Sequence, residues 1–511
     1  MKISSQAATT VLVSIIGIVS HLGSDSPASA AGGRLELTVV DHDSRQAIPC
    51  RIHLRNARGR PRHVNKLPNW DDHFVCPGKV TLKLPKGAYQ FTIERGPEYV
   101  QRMGHFTIQD FSDDRKTVDL RRAVDMAAAG WWSGDLQARR KITDLELLMG
   151  AQDLHVVLVD AESPDGLSRG APPPNDAAEV LEYDARRFAG LWGRAVENNA
   201  GRVILSPVDR HAFGSTVPPS GIETLIQKAH SQNHAWVDVA MPASWDLPVW
   251  VAHGEVDSIQ LAFSGLQRKA AQLSKQQRPP PRELGRGSEA IGLWTQRIYY
   301  HLLNCGLRLP PTAASGSGVT PNPLGYNRVY VFVGEDFSYD AWWKGLRSGR
   351  VVVSNGPLIQ PLVSGRRPGA VFQSEGQRLT LDVSLNLATG DPIEYLEVIR
   401  DGDVVQSVRL ADWANTGALP PVEFERSGWF LVRAVANVHD TYRFGLTAPY
   451  YVEIGSQPRR ISRTSATFFL DWLDLRIEQL REDRTFNPED EQRFHTARQY
   501  WLDMVSHANA P

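Results

Sequence analysis

The sequence predicts an α/β chain: a strand–helix core of parallel-sheet or barrel type, flanked by two β-sandwich modules and closed by a helical hairpin. Three observations predict it. Apolar residues alternate with period two from Arg34 to about Leu120 and again after Val363. Between those stretches, short apolar runs alternate with amphipathic segments. The tail places Phe469, Leu473, Ile477 and Leu480 on one helical face. At roughly 100 to 200 residues per domain, 511 residues make about three or four compact units. The expected boundaries are 1–30, 31–125, 126–363, 364–456 and 457–511.

The first segment has the three parts of a secretory signal: Lys2, the apolar run from Val11 to Val19, and the small-x-small sequence Ala28-Ser29-Ala30. Its apolar run is too short for a bilayer core of ~30 Å. No later stretch reaches the ~18 uninterrupted apolar residues of a membrane helix. The sequence therefore predicts an exported protein, periplasmic or extracellular, with no membrane span once the signal is removed.

In the next segment Leu35, Leu37 and Val39, then Cys50, Ile52 and Leu54, then Tyr89, Phe91 and Ile93 alternate with polar residues. Turn residues at Asp41 to Ser44, Pro77-Gly78 and Lys86-Gly87 separate them, as in an antiparallel sandwich. Three cysteines exclude a disulfide scaffold. Cys50 and Cys76 are either a pair, in an oxidising compartment, or small buried hydrophobes; Cys305 reads as buried.

From Gly130 the candidate strands are Trp131 to Leu136, Val156 to Val159, Val203 to Leu205, Ala235 to Val239, Ser258 to Ala262, Val329 to Val333 and Val351 to Val353. Ser220 and Glu223 form a capping box at the start of the clearest helix. Beyond residue 363, Leu379, Leu381, Val383 and Leu385 share a face, and Asp401-Gly402 predicts a hairpin turn. Asn487-Pro488 opens the last helix, which carries Phe494, Ala497 and Trp501.

With 56 basic against 57 acidic residues, the net charge of −1 supplies no general attraction to phosphate, which argues against nucleic acid as a partner. In a strand–helix barrel, functional side chains follow the carboxyl ends of strands. There the sequence places Asp135, Gln137 and Arg139, then Asp160 and Glu162, then Asp209 and His211, then Asp238. These are the candidate ligand-binding residues.

The run Gly130-Trp131-Trp132-Ser133-Gly134-Asp135-Leu136-Gln137-Ala138-Arg139-Arg140, with Asp144-Leu145-Glu146 and Ala151-Gln152-Asp153-Leu154, resembles the start of the PHP (polymerase and histidinol phosphatase) metallohydrolase domain in its CehA/McbA-like branch. The resemblance extends through Trp245-Asp246-Leu247-Pro248, Gly325-Tyr326-Asn327-Arg328 and Asn355-Gly356-Pro357. It implies a distorted (β/α)7 barrel with a metal cluster at the carboxyl ends of its strands. The family's first strand typically ends in Asp-Leu-His-x-His-Arg, and both histidines bind metal. Here Gln137 and Arg139 replace them, and Gln152 stands at a further acidic position.

Zinc, manganese and iron need lone pairs, which a guanidinium does not have. A fixed charge ~4 Å from a divalent ion is repelled by ~8 kcal/mol at an effective dielectric near 20. The expectation is a metal-free relic site without cofactor, in which Arg139 takes the charge role of the ion and pairs with neighbouring acids. The chain then serves as a binding or structural module for a small molecule, a glycan or an envelope protein. Two alternatives stand beside it. One is a phosphoester or ester hydrolase whose zinc, manganese or iron is held by Asp135, Asp160, Glu162, Asp209 or His211. The other is a carbohydrate-associated accessory protein whose sandwiches bind.

His155 and His301 read as packing, and His230 and His234 as solvent-facing or capping residues. His211 and His253 lie nearer the expected mouth. Nine of the 14 tryptophans fall between Trp131 and Trp343, as core packing or as stacking platforms for sugar rings. The stretch from Ala314 to Gly318 reads as a flexible glycine–serine connection.

Overall fold

The computed structural model describes residues 32–160, 180–206, 221–231, 235–376, 378–455, 459–486 and 488–511. The signal segment, Ser220, Glu162, Asp209, His211, His234 and Asn487 lie outside the described residues.

The amino-terminal unit is a two-sheet sandwich. One sheet places Gly32–Asp41 between Lys79–Pro85 and Asp113–Leu120, and the other has five strands centred on Cys50–Asn56 and Gly87–Glu94. Alternation does what period two requires: Leu35, Leu37 and Val39 meet Ile52, Leu54, Phe74 and Ile93 in one core. Cys50 and Cys76 face each other on adjacent antiparallel strands as buried thiols.

The expected (β/α)7 barrel is not what the chain forms, and the α/β class with it gives way to a chain dominated by sheet. Strand outweighs helix, 42% to 22%, whereas a barrel with a helix after each strand has the opposite balance. The strands read from the sequence are present, but they belong to a sixteen-stranded mixed sheet. Trp131–Ala138, Val156–Asp160 and Arg187–Asn198 run parallel. Gly201–Ser206 then turns back antiparallel between Arg187–Asn198 and Trp236–Val239. On its other side Trp131–Ala138 pairs antiparallel with Arg328–Phe332, and the sheet continues through Val351–Ser354 into the carboxy-terminal strands. Runs such as Val351-Val352-Val353 are buried on both faces, so their sequence does not distinguish parallel from antiparallel neighbours.

The carboxy-terminal module packs a three-stranded sheet, Leu358–Val363, Leu379–Ala388 and Ala418–Phe424, against strands of the large sheet. Asp401 at φ 52° and Gly402 at φ 100° make the hairpin turn between Ile393–Arg400 and Asp403–Arg409. The β-sandwich and multi-domain character read from the sequence therefore stands. Helices Arg463–Glu482 and Pro488–Ser506 pack on each other, and Phe469, Trp472 and Trp501 enter the central core. Ser462 caps the first of them by accepting from the Ser465 N–H. No helix among the described residues is long and apolar enough to cross a membrane.

Candidate functional site

Every residue of Trp131–Ala138 is buried, so each polar side chain on it needs a partner inside the protein. Asp135 finds backbone. Its Oδ1 accepts from the N–H of Ser315 at 2.9 Å and of Gln137 at 3.2 Å, and its Oδ2 from the N–H of Gly325 at 2.7 Å. Burial raises its pKa, and the backbone donors pull the other way. Asp135 thus staples the segment from Ser315 to Gly325 onto the first strand. The stretch 314–318 is accordingly no flexible connection: Ala314, Ser315 and Ser317 are fully buried. The Arg139 N–H donates to Ser317 O at 2.7 Å, and Gly316 N–H to Gln137 O at 3.1 Å. Gly318 lies so close that a Cβ there would be 1.9 Å from the Arg139 carbonyl oxygen.

Arg139 reaches the acid the sequence offered it. Its Nε donates to Asp160 Oδ2 at 2.6 Å, with the Asp160 side chain 3% exposed and that of Arg139 24%. The N–H of Ala195 approaches Asp160 Oδ1 at 3.4 Å. Asp238 belongs to a second group. Its Oδ1 accepts from Ser258 Oγ and Thr312 Oγ1, both at 2.6 Å, and its Oδ2 from Gln260 Nε2 at 2.8 Å. Burial pushes Asp238 up to about 6 against these three donors. Buried polar atoms without a partner among the described residues include Gln137 Oε1, Gln260 Oε1 and Ser206 Oγ.

Among the described residues, Asp135 and Arg139–Asp160 belong to one group of contacts and Asp238 to another; Glu162, Asp209 and His211 lie outside the described residues. Gly201–Ser206 runs against both neighbours, so its carboxyl end lies opposite those of Val156–Asp160 and Trp236–Val239. The described acids already have partners in the protein. Asp135 accepts from three backbone N–H groups, Asp238 from three neutral side chains, and Asp160 from a guanidinium. Among the described histidines, His155, His253 and His301 are held by packing and hydrogen bonds, and His230 by an acid. His155 Nδ1 faces Ser133 Oγ at 3.0 Å, His301 stacks on Phe468, and His253 Nε2 meets Arg493 O at 3.1 Å. His230 pairs with Asp257 at 3.3 Å. Most tryptophans of the central stretch, Trp131, Trp250, Trp294 and Trp342 among them, are core.

One cluster escaped the sequence reading. His53, Asp72 and His73 lie together in the amino-terminal sandwich with their ligand-type atoms within 4.8 Å. Its only sequence signal is the pair Asp72-His73 opposite the strand that carries His53. Cations surround it: Arg55 Nη2 is 2.8 Å from Asp72 Oδ2, Lys269 Nζ 3.4 Å from the same oxygen, and Arg268 Nη1 3.6 Å from Oδ1. Burial lowers both histidines, His73 to about 3, with Arg51 and Arg268 acting in the same direction. His53 Nδ1 also lies 2.9 Å from Asp72 Oδ1, so histidines, carboxylate and cations form one buried polar network.

No family model matches the chain, and no curated protein matches it. Solved structures similar to parts of it include the Bacillus anthracis TIE protein, at 21% identity over 22% of this chain and 20% of that one, with a TM-score of 0.15. Another is GBS52, the minor pilin of Streptococcus agalactiae, at 22% identity over 19% of this chain and 46% of that one, TM-score 0.16. A third is the set of Clostridium thermocellum CbhA fibronectin(III)-like modules, at 15% identity over 26% of this chain and 65% of those, TM-score 0.14. The chain thus spans only part of each, about a fifth of the TIE protein. Superposition at that level says nothing about activity.

Proposed function

We propose that this chain is an exported binding or structural module whose polar residues around Asp135, Arg139 and Asp238 work without metal and without catalysis. The observation that carries the reading is the 2.6 Å bond from Arg139 Nε to Asp160 Oδ2. A permanent cation there occupies the lone pair an ion would need, and the other two described acids are spoken for by N–H and O–H donors. Descent of the Gly130–Arg140 motif from the PHP metallohydrolases belongs to the proposal as ancestry of a segment; the matched residues Gly130-Trp131-Trp132-Ser133-Gly134-Asp135-Leu136 support it, and Gln137 and Arg139 depart from it. Export rests on the Lys2, Val11–Val19 and Ala28-Ser29-Ala30 pattern.

Two measurements test it. Elemental analysis of purified, dialysed protein is expected to give no stoichiometric zinc, manganese or iron; one bound ion per chain would defeat the proposal. Arg139→Ala is expected to lower stability by about 1–3 kcal/mol in urea unfolding, less than for a fully buried pair because the arginine is partly exposed. Unchanged stability would remove the structural role given to the pair.

A further inference from the structure

A cavity of about 530 Å³ opens where the amino-terminal sandwich, the central sheet and the carboxy-terminal module meet. Its volume falls within the range of small-molecule sites. Four guanidinium groups line it, Arg51, Arg268, Arg328 and Arg443, against two carboxylates, Glu94 and Asp391. Four against two leaves the lining two positive charges in excess.

The acids are already committed. Glu94 is paired with Arg51 and, at 3.4 Å, with Arg268, while both oxygens of Asp391 accept from Arg443 Nη1 at 2.8 and 2.9 Å. Donors remain. Arg51 is 5% exposed, and its Nε and Nη1 are buried without a partner. Arg443 Nε is likewise buried without one. Arg328 is 1% exposed and donates only to oxygens of uncharged groups: Gly325 O at 2.5 Å, Gln152 O at 2.6 Å and, more loosely, Asp153 O and Gln152 Oε1. The carboxylate that feels its charge, Glu98, is shared with Arg122 at 3.2 Å and with the Tyr330 hydroxyl at 3.2 Å. Buried charges are ordinarily paired, and a lining whose guanidinium groups outnumber its carboxylates marks the place of an anion. Gly96 protects that arrangement: a Cβ there would sit 2.6 Å from Arg328 Nη2.

We infer that this interdomain cavity binds a monosaccharide-sized carboxylate, a sugar acid of the uronic class. The planar forks of Arg51, Arg328 and Arg443 suit a carboxylate, which they can hold through paired N–H donors. The volume far exceeds a bare oxyanion, and Tyr326 in the lining supplies aromatic surface for a pyranose ring, the Tyr99 ring being covered by Arg95 and Arg122. The inference is independent of the metal-free site, because the cavity excludes Arg139, Asp160 and Asp238 from its lining.

The test is isothermal titration and thermal shift of the full chain with D-glucuronate, D-glucose and sulfate. Glucuronate is expected to bind at one site per chain, more weakly as salt rises, with glucose and sulfate each at least tenfold weaker. No binding of glucuronate overturns the inference; equal binding of glucose overturns the role of charge, and equal binding of sulfate overturns the sugar-acid assignment. The paired variant Arg443→Met with Asp391→Asn removes one fork without stranding its acid and is expected to weaken glucuronate at least tenfold. Val100→Trp, at a half-exposed rim position, blocks the cavity without touching the ion pairs. It too is expected to lose binding, and full affinity in a folded Val100→Trp protein places the ligand elsewhere and overturns the inference.

Discussion

Asp238 is a carboxyl group held by three neutral donors and no cation, and that fixes the sign of its contribution. Its folded value near 6 lies above the ordinary 3.8, so between those values the folded chain binds a proton that the unfolded chain releases. Stability from this group is present below pH ~4 and declines as pH rises toward 6, by roughly 3 kcal/mol at most. Glu98, pushed up to about 7 by burial and then by Asp153, adds a slope of the same sign. The buried histidines His155 and His73, both lowered to about 3, oppose it, because below pH ~6.5 the unfolded chain takes protons that they refuse. Asp238→Asn isolates the term. Asparagine keeps the oxygen that Ser258 and Thr312 donate to, and Gln260 can present its unpartnered Oε1 to the new amide. We expect the variant to fold, and the stability of the wild type relative to it to grow as pH falls from about 7.5 to 5. Paired urea titrations measure the difference, and a pH-independent gap would contradict the burial argument.

Among the elements, the stretch 314–318 shows what was legible in the sequence and what was not. Short strands were readable from apolar runs, and the turn at Asp401-Gly402 from its residues, because each depends on local chemistry. Strand direction was not readable: the sharp return from Asn198 to Gly201 leaves no mark that a crossover would lack. The pairing of Arg139 with an acid followed from charge alone, whereas the fastening of Asp135 to Ser315 and Gly325 spans about 180 residues and has no periodic signature. Glycine and serine usually signal mobility. Here they permit close approach, since Gly318 at φ 98° lies against the Arg139 carbonyl. Gly318→Ala therefore adds both a steric conflict and an unfavourable backbone angle, and we expect a loss of at least about 2 kcal/mol in urea unfolding. A variant as stable as wild type would return this segment to the status of a loose connection.

At the scale of the whole molecule, the continuous sheet joins what the sequence divides at residue 363. Trp131, Tyr330 and Val352 point into the carboxy-terminal core with Leu381, Val383 and Phe430. Their strand neighbours Trp132, Val331 and Val353 point into the central core with Trp250, Trp472 and Trp501. Three strands thus supply one face to each core, and neither core can be exposed without stripping the other's wall. The helical hairpin is tied in the same way, through Trp501 Nε1 to Pro248 O at 2.9 Å and through the ion pairs Arg476–Asp246 and Arg493–Glu255. The amino-terminal sandwich differs, because its core is its own; it meets the centre through Val75, packed with Leu145 and Leu148, and through polar ties such as Arg95–Asp153 at 3.1 Å and Trp70 Nε1 to Thr320 O at 2.8 Å. Calorimetry should therefore resolve at most two transitions, a small one for the amino-terminal sandwich and a large one in which residues 126–511 unfold together. A chain cut after residue 363 should fail to fold, since it leaves Trp131, Tyr330 and Val352 in water. A separate transition for 364–456, or a soluble folded fragment ending at 363, would show that the shared sheet does not couple the two cores.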